Sequence, residues 1–139
     1  MRWNPHLTFD GRCREAFEFY ERCLGGKVVA LVGYADMPGA GDVPAALRGR
    51  VMHARLVLGD QVLMGCDAHP EMPYDGIRGC DVAVRVESPA EAERLFSALS
   101  EGGTVQMPIG ETSWAARFGM LTDRFGVPWM INCEKAAGA

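Results

Sequence analysis

The chain has no run approaching the roughly 18 apolar residues that a bilayer-spanning helix needs, and its opening, MRWNPHLTF, lacks a charged segment followed by an apolar one. The expectation is a cytoplasmic protein with no membrane partner. No cysteines are spaced as CxxC. Cys13, Cys23, Cys66, Cys80 and Cys133 are odd in number and scattered, which indicates neither a zinc knuckle nor a disulfide framework and leaves reduced, mostly buried thiols. There is no glycine-rich loop after a strand of the kind that cradles a dinucleotide or an adenosyl cofactor. Positive charge is not in excess either: 14 Lys and Arg face 18 Asp and Glu, a net charge of −4, so the chain carries no electrostatic footprint for nucleic acid.

What is present is an ordinary globular composition. With 139 residues, 48% hydrophobic and 23% charged, the chain makes one or at most two small domains able to bury a core. From Trp3 to Phe9 the residues alternate, with Leu7 and Phe9 on one face and Asn4, His6 and Thr8 on the other, as in a strand with one core face. The next segment places Ala16, Phe17, Tyr20 and Leu24 at helical spacing and stops at Gly25-Gly26. Strand-like stretches follow at Lys27 to Tyr34, Val51 to Leu58 and Gln61 to Cys66, the last two joined by the tight-turn dipeptide Gly59-Asp60.

The same order then repeats. Cys80 to Val86 alternates as a strand, Pro89 opens a helix with Ala92, Leu95, Phe96 and Leu99 on one face, and a second glycine pair, Gly102-Gly103, ends it. Strand-like segments run Thr104 to Met107, Ser113 to Leu121 and Val127 to Cys133, with Asp123 to Gly126 as a turn. The chain thus reads as α+β, two tandem β-α-β-β-β modules at about residues 1–67 and 80–135. Two glycine- and proline-bearing connections, Ala35 to Gly49 and Asp67 to Gly79, are longer than usual and are places for ligand contacts.

Three strings sharpen this reading: NPHLTFDGRCREAFEFYERCLGG, HARLVLGDQVLMGCDA and ETSWAARFGMLTDRFGVPWMIN. They closely resemble the PhnB-type branch of the glyoxalase/bleomycin-resistance group, the vicinal oxygen chelate superfamily, a branch also labelled demethylubiquinone methyltransferase-like. The resemblance covers nearly the whole chain and implies a curled sheet around a cavity, a small organic ligand and a homodimer. It does not fix the chemistry, because one fold hosts many activities.

Metal enzymes of that superfamily place His or Glu ligands on the first and last strands of each module. Carried onto this chain, those positions fall on Asn4 or Pro5, near Met64, on Asp81 and on Met130. Thioethers are poor ligands for hard divalent ions, so the ligand positions do not support a divalent metal, and the cofactor stays unassigned. The favoured expectation is a small organic molecule bound in the cavity. The alternative is a divalent-metal lyase, isomerase or dioxygenase with an altered ligand set drawn from His6, His53, Asp67 or Asp81.

Individual residues complete the set of candidates. His53 and His6 are the acid/base candidates, since imidazole exchanges a proton near neutral pH. His69 reads as a solvated loop residue. Arg85 shares a strand face with Asp81 and Ala83; it is expected to pair with Asp81, or else to hold an anion with its guanidinium fork. Trp114, Phe118 and Met120 share one face, Trp129 and Met130 point oppositely, and Trp114 and Met130 are candidates for an apolar pocket wall. Cys66 shares its face with Met64 and is the thiol expected to touch a ligand.

Overall fold

The computed structural model describes residues 1–37 and 41–136, and the chain divides into two compact units, Met1–Gly76 and Ile77–Ala139. Each unit is one β-α-β-β-β module. The first contains β1 (His6–Phe9), α1 (Cys13–Leu24), β2 (Lys27–Gly33), β3 (Val51–Leu58) and β4 (Gln61–Asp67). The second contains β5 (Val82–Val86), α2 (Pro89–Ser100), β6 (Thr104–Gly110), β7 (Ala115–Thr122) and β8 (Pro128–Glu134). Of the expected Ala35 to Gly49 connection, residues 38–40 lie outside the described residues; on either side of them sit short 3-10 turns at Tyr34–Asp36 and Ala45–Leu47.

The two sheets have the same strand order, β1-β4-β3-β2 and β5-β8-β7-β6. In each, the first strand runs parallel to the last, and the remaining pairs are antiparallel. The β3–β4 hairpin turns on Gly59-Asp60 with Leu58 paired to Gln61, as expected of that dipeptide. Several strands differ from expectation at their ends: β1 begins at His6 rather than near Trp3, β5 at Val82 rather than Cys80 and β7 at Ala115 rather than Ser113, while β6 continues through Pro108 to Gly110. Proline is tolerated there because β6 is an edge strand, with one row of backbone groups left unpaired.

Helix and sheet meet through one face of each. On α1 the buried residues Cys13, Ala16, Phe17, Tyr20 and Cys23 form a stripe at helical spacing. Leu7, Phe9, Ala54, Leu56 and Leu63 of the sheet are buried with them. Phe9, Phe17 and Tyr20 are in mutual ring contact, with centroids 5.9–6.5 Å apart. On α2 the stripe is Ala92, Leu95, Phe96 and Leu99, beside the buried Ala115, Leu121, Trp129 and Ile131 of the second sheet. Ser88 caps α2, its hydroxyl accepting the Glu91 N–H at 3.2 Å, with Pro89 in the first helical turn.

Both helices are followed by a glycine pair, although Gly25 caps α1 directly while α2 passes through an extended Glu101 before Gly102. Gly25 and Gly102 take positive φ, 79° and 75°, where an L side chain is strained. Each following glycine lies against the adjoining strand: a Cβ on Gly26 would meet the Val57 carbonyl oxygen, and one on Gly103 the Thr122 carbonyl oxygen. The glycine pair is therefore a repeated structural requirement of the module.

Among the described residues two carboxylates are buried, Asp67 and Asp123. Asp67, at the end of β4, accepts the N–H groups of Gly11 (2.8 Å) and Cys13 (3.0 Å) on Oδ1 and that of Val51 (2.8 Å) on Oδ2. It caps the start of α1, where Arg12 gives no side-chain cap, and its charge lies at the positive end of the helix. Asp123 accepts the N–H groups of Phe125 and Val127 and, on its other oxygen, the indole N–H of Trp129 at 2.9 Å. That bond satisfies the one polar atom of a fully buried tryptophan.

Candidate functional site

With α1 covering one face of the first sheet, strand alternation sends a second set of side chains to the opposite face. Register groups them into two rows. The first is His6, Met64, Arg55 and Ala30, linked by the pairs His6↔Met64, Arg55↔Met64 and Ala30↔Arg55. The second holds Thr8 and Cys66, paired across β1 and β4, then His53 and Val32, paired across β3 and β2. A bulge in β3 between Val51 and His53 keeps Val51 buried while His53 faces away from the helix with Arg55. Among the described residues, neither imidazole, His6 nor His53, makes a hydrogen bond or ion pair, and neither does the Arg55 guanidinium.

Cys66 is half-buried on this face. Burial pushes its thiol up, a hydrogen bond with Thr8 draws it partly down, and the neighbouring Asp67 charge pushes it up again. The thiol is thus kept protonated and is no activated nucleophile. Tyr34 and Tyr74 flank the same end of the sheet, the Tyr74 hydroxyl donating to the Thr8 carbonyl at 2.8 Å and that of Tyr34 to the Asp67 carbonyl at 3.4 Å. His69 is not the solvated loop residue expected from its sequence. It is half-buried, edge-on to Tyr34 with ring centroids 6.3 Å apart, and its Nδ1 accepts the Glu71 N–H. Two residues after Asp67 the chain is still held against the sheet, which is what draws His69 out of water.

The second sheet repeats the two rows with different chemistry. Its first row is Ala83, Met130, Met120 and Met107, linked by Ala83↔Met130, Met120↔Met130 and Met107↔Met120. Its second is Arg85, Asn132, Phe118 and Gly110, linked by Arg85↔Asn132, Phe118↔Asn132 and Gly110↔Phe118. Met64 and Met130 therefore occupy equivalent places in the two units, each on the last strand beside the first. Trp129 is buried on the helix side while Met130 faces the other way, as alternation requires. Trp114 lies just before β7, is 60% exposed, and stacks edge-on against Phe118 at 5.5 Å.

The expected Arg85–Asp81 pair does not form. Arg85 binds Glu134, with Nη1 3.3 Å from Oε1, because β5 lies parallel to β8 and carries the guanidinium toward the end of that strand. Asp81 precedes β5 and is exposed, as Asn4 precedes β1 and is exposed. Asp67 is also corrected as a candidate metal ligand, since both its oxygens are occupied by the backbone N–H groups of the α1 start and of Val51. Among the described residues no three His, Cys, Asp or Glu side chains gather in a group that could hold a metal ion. With thioethers at Met64 and Met130 as well, the residues present do not fit the divalent centre of the superfamily's metal enzymes.

Arg55, Asn132 and Met107 of these rows escaped the sequence reading. Arg55 stands two places from His53, so strand parity alone puts it on the same face. Asn132 stands two places from Met130 by the same rule, and its side-chain oxygen Oδ1 is buried with no hydrogen-bond partner. A buried acceptor left unpaired is destabilising by about 1–3 kcal/mol, which makes it a conspicuous feature of this face.

Comparison with known proteins gives consistent results. Residues 2–132 match the family model described as 3-demethylubiquinone-9 3-methyltransferase. The crystal structure of protein PA1353 from Pseudomonas aeruginosa is 54% identical and superposes with a TM-score of 0.90, covering 98% of this chain and 99% of that one. A PhnB protein from Bacillus cereus, described by the same methyltransferase name, is 27% identical with a TM-score of 0.77 over 96% of this chain and 99% of its own. A glyoxylase/bleomycin resistance protein/dioxygenase domain from Frankia sp. EAN1pec, 15% identical, shares the fold with a TM-score of 0.68 over 97% of this chain and 98% of that one.

Proposed function

The chain belongs to the 3-demethylubiquinone-9 3-methyltransferase family, PhnB-like members of the vicinal oxygen chelate superfamily, and from that premise we propose that it binds a small organic molecule. The observation that carries this reading is the first sheet's face away from α1, where His6, His53 and Arg55 have no partner among the described residues. Polar groups on a sheet face with Cys66 and Met64 between them offer hydrogen bonds beside apolar contact, the usual make-up of a small-molecule site. His53 and His6 are the groups there able to accept or donate a proton to a bound molecule. On the second sheet, Met130 and Trp114 supply apolar surface, Arg85 a cation, and Asn4 and Asp81 stand ahead of the first strand of their units.

Methyl transfer is not part of the proposal, since nothing in the chain provides the glycine-rich turn that adenosyl and dinucleotide cofactors use. No helix of the described residues is long and apolar enough to cross a membrane. A cytoplasmic homodimer, without nucleic acid as partner, completes the proposal, and the net charge of −4 supports its last element.

A thermal-shift panel of antibiotics and metabolites tests the reading, because a molecule that binds only the folded state raises the melting temperature. The expected result is one or more stabilising compounds whose effect is lost in His53→Ala or Arg55→Ala, both of which retain the wild-type circular dichroism spectrum. A panel without any stabilising compound, or stabilisation indifferent to both substitutions, overturns it.

A further inference from the structure

The second sheet carries a buried side-chain acceptor without a partner, which among the described residues the first sheet does not. Asn132 lies in the middle of β8, between Arg85 on β5 and Phe118 on β7. Its Oδ1 is buried and unpartnered, although Arg85 stands beside it in register. The Arg85 guanidinium instead reaches Glu134 through one nitrogen, and among the described residues that is its one polar contact, leaving further N–H donors of its fork unused. In the neighbouring row Met107, Met120 and Met130 form a continuous thioether surface, and Trp114 against Phe118 adds an aromatic edge.

Each of these three features selects one part of a ligand. An orphan carbonyl oxygen accepts only from an O–H or N–H. A guanidinium with spare donors takes an oxyanion, and takes a carboxylate in the bidentate manner. Polarizable methionines accept an apolar body of loosely defined shape. Arg85 and Asn132 are neighbours across one strand spacing, about 4.8 Å, so the donor and the oxyanion must sit on adjacent atoms of the ligand.

We infer that Asn132 and Arg85 form a subsite on the second sheet for a small carboxylic acid bearing a hydroxyl or amino group beside the carboxylate, with its apolar tail on Met107, Met120 and Met130. The assignment rests on the reading that the chain binds a small organic molecule and gives that molecule a chemical class. The Asn132 oxygen receives the ligand's O–H or N–H, Arg85 receives the carboxylate, and Glu134 holds the guanidinium in place from its other side.

The test uses the whole chain, labelled with nitrogen-15, and three probes: 3-phenyllactate, 3-phenylpropionate, which lacks the hydroxyl, and 2-phenylethanol, which lacks the carboxylate. The Asn132 side-chain amide and the Arg85 Nε–H are followed by NMR through each titration. Saturable shifts of both signals are expected with 3-phenyllactate, with binding about tenfold weaker for 3-phenylpropionate, the size of one lost hydrogen bond, and weaker still for 2-phenylethanol, which loses the charge-assisted pair. Asn132→Leu is expected to abolish the preference for 3-phenyllactate over 3-phenylpropionate. Equal binding of the two acids by the unaltered protein overturns the assignment without requiring that any variant fold, as does a preference that survives Asn132→Leu. Shifts confined to His53, Arg55 and Cys66 overturn it too, while leaving the broader reading of the chain as a small-molecule binder intact.

Discussion

The carboxylate of Asp67 accepts the backbone N–H of Cys13 at 3.0 Å, across 54 positions of sequence, and so joins the last strand of the first unit to the start of its helix. With Gly11 and Val51 bonded to the same carboxylate, three chain segments converge on one buried side chain. Asp67→Ala is expected to destabilise the protein by about 3–4 kcal/mol, since it strands three donors in a dry environment and removes a charge from the helix start. Urea unfolding of the variant, with the slope unchanged and the midpoint lowered, checks this. A loss below about 1 kcal/mol would show that water replaces the carboxylate there.

Gly65 faces α1 from β4, and a Cβ placed on it would lie 2.6 Å from Phe17 Cε1 and 2.9 Å from the Leu7 carbonyl oxygen. Phe17 is fully buried and in contact with Phe9 and Tyr20, so the ring cannot swing aside. Gly65→Ala is expected to be destabilising by about 2 kcal/mol, in the range of overpacked cores. Combined with Phe17→Leu it should cost clearly less than the sum of the two single changes, because the second removes the atoms that the first one strikes. Additive losses in a double-mutant cycle would place the strain at the Leu7 backbone instead.

Burial, with the Asp67 charge beside it, pushes the Cys13 thiol far above the ordinary thiol range. The unfolded chain releases that proton from about pH 8.5 upward, whereas the folded chain keeps it. Folded protein therefore binds more protons there, and the unfolding free energy must fall as pH rises above that value, while below it the contribution is fully present. Cys66, Tyr34 and Tyr74 are raised in the same direction by burial and add to the slope at their own ordinary values. Chemical denaturation at a series of pH values from neutral to about pH 10 measures the slope. Cys13→Ala is expected to flatten it, and an unchanged slope in that variant would remove Cys13 as its source.

The parts of the fold that periodicity controls are legible in the chain alone. Ala16, Phe17 and Tyr20 can only be the buried stripe of a helix, Leu7 and Phe9 the buried side of a strand, and the glycine pairs the two helix ends. Counting in twos likewise places Met64 and Met130 on matching faces. Contacts between segments far apart in sequence are not legible in this way. The partners of Asp67 depend on where β4 ends relative to α1, and the partner of Arg85 depends on β5 lying parallel to β8, which a local pairing rule misses in favour of Asp81. Strand parity puts Asn132 on the face of Met130, but nothing in the sequence marks its side-chain oxygen as unpartnered. Only burial without a partner distinguishes it, and burial is a property of the folded sheet.

The parallel pairing of first strand to last also bears on how the chain is made. As the protein leaves the ribosome, β1 emerges before its partner and has no strand to join until β4, more than fifty residues later, has followed it. The β3–β4 hairpin can close locally at Gly59-Asp60, whereas β1 waits, and closing the long intervening loop is the slower, entropically opposed event. During synthesis Leu7 and Phe9 remain without their sheet until Asp67 is in place, and β5 waits in the same way for β8. Each unit is therefore completed in one stroke at its own last strand, and a chain stalled before Asp67 or before Glu134 would leave one uncovered hydrophobic strand exposed to the cell's proteases and chaperones.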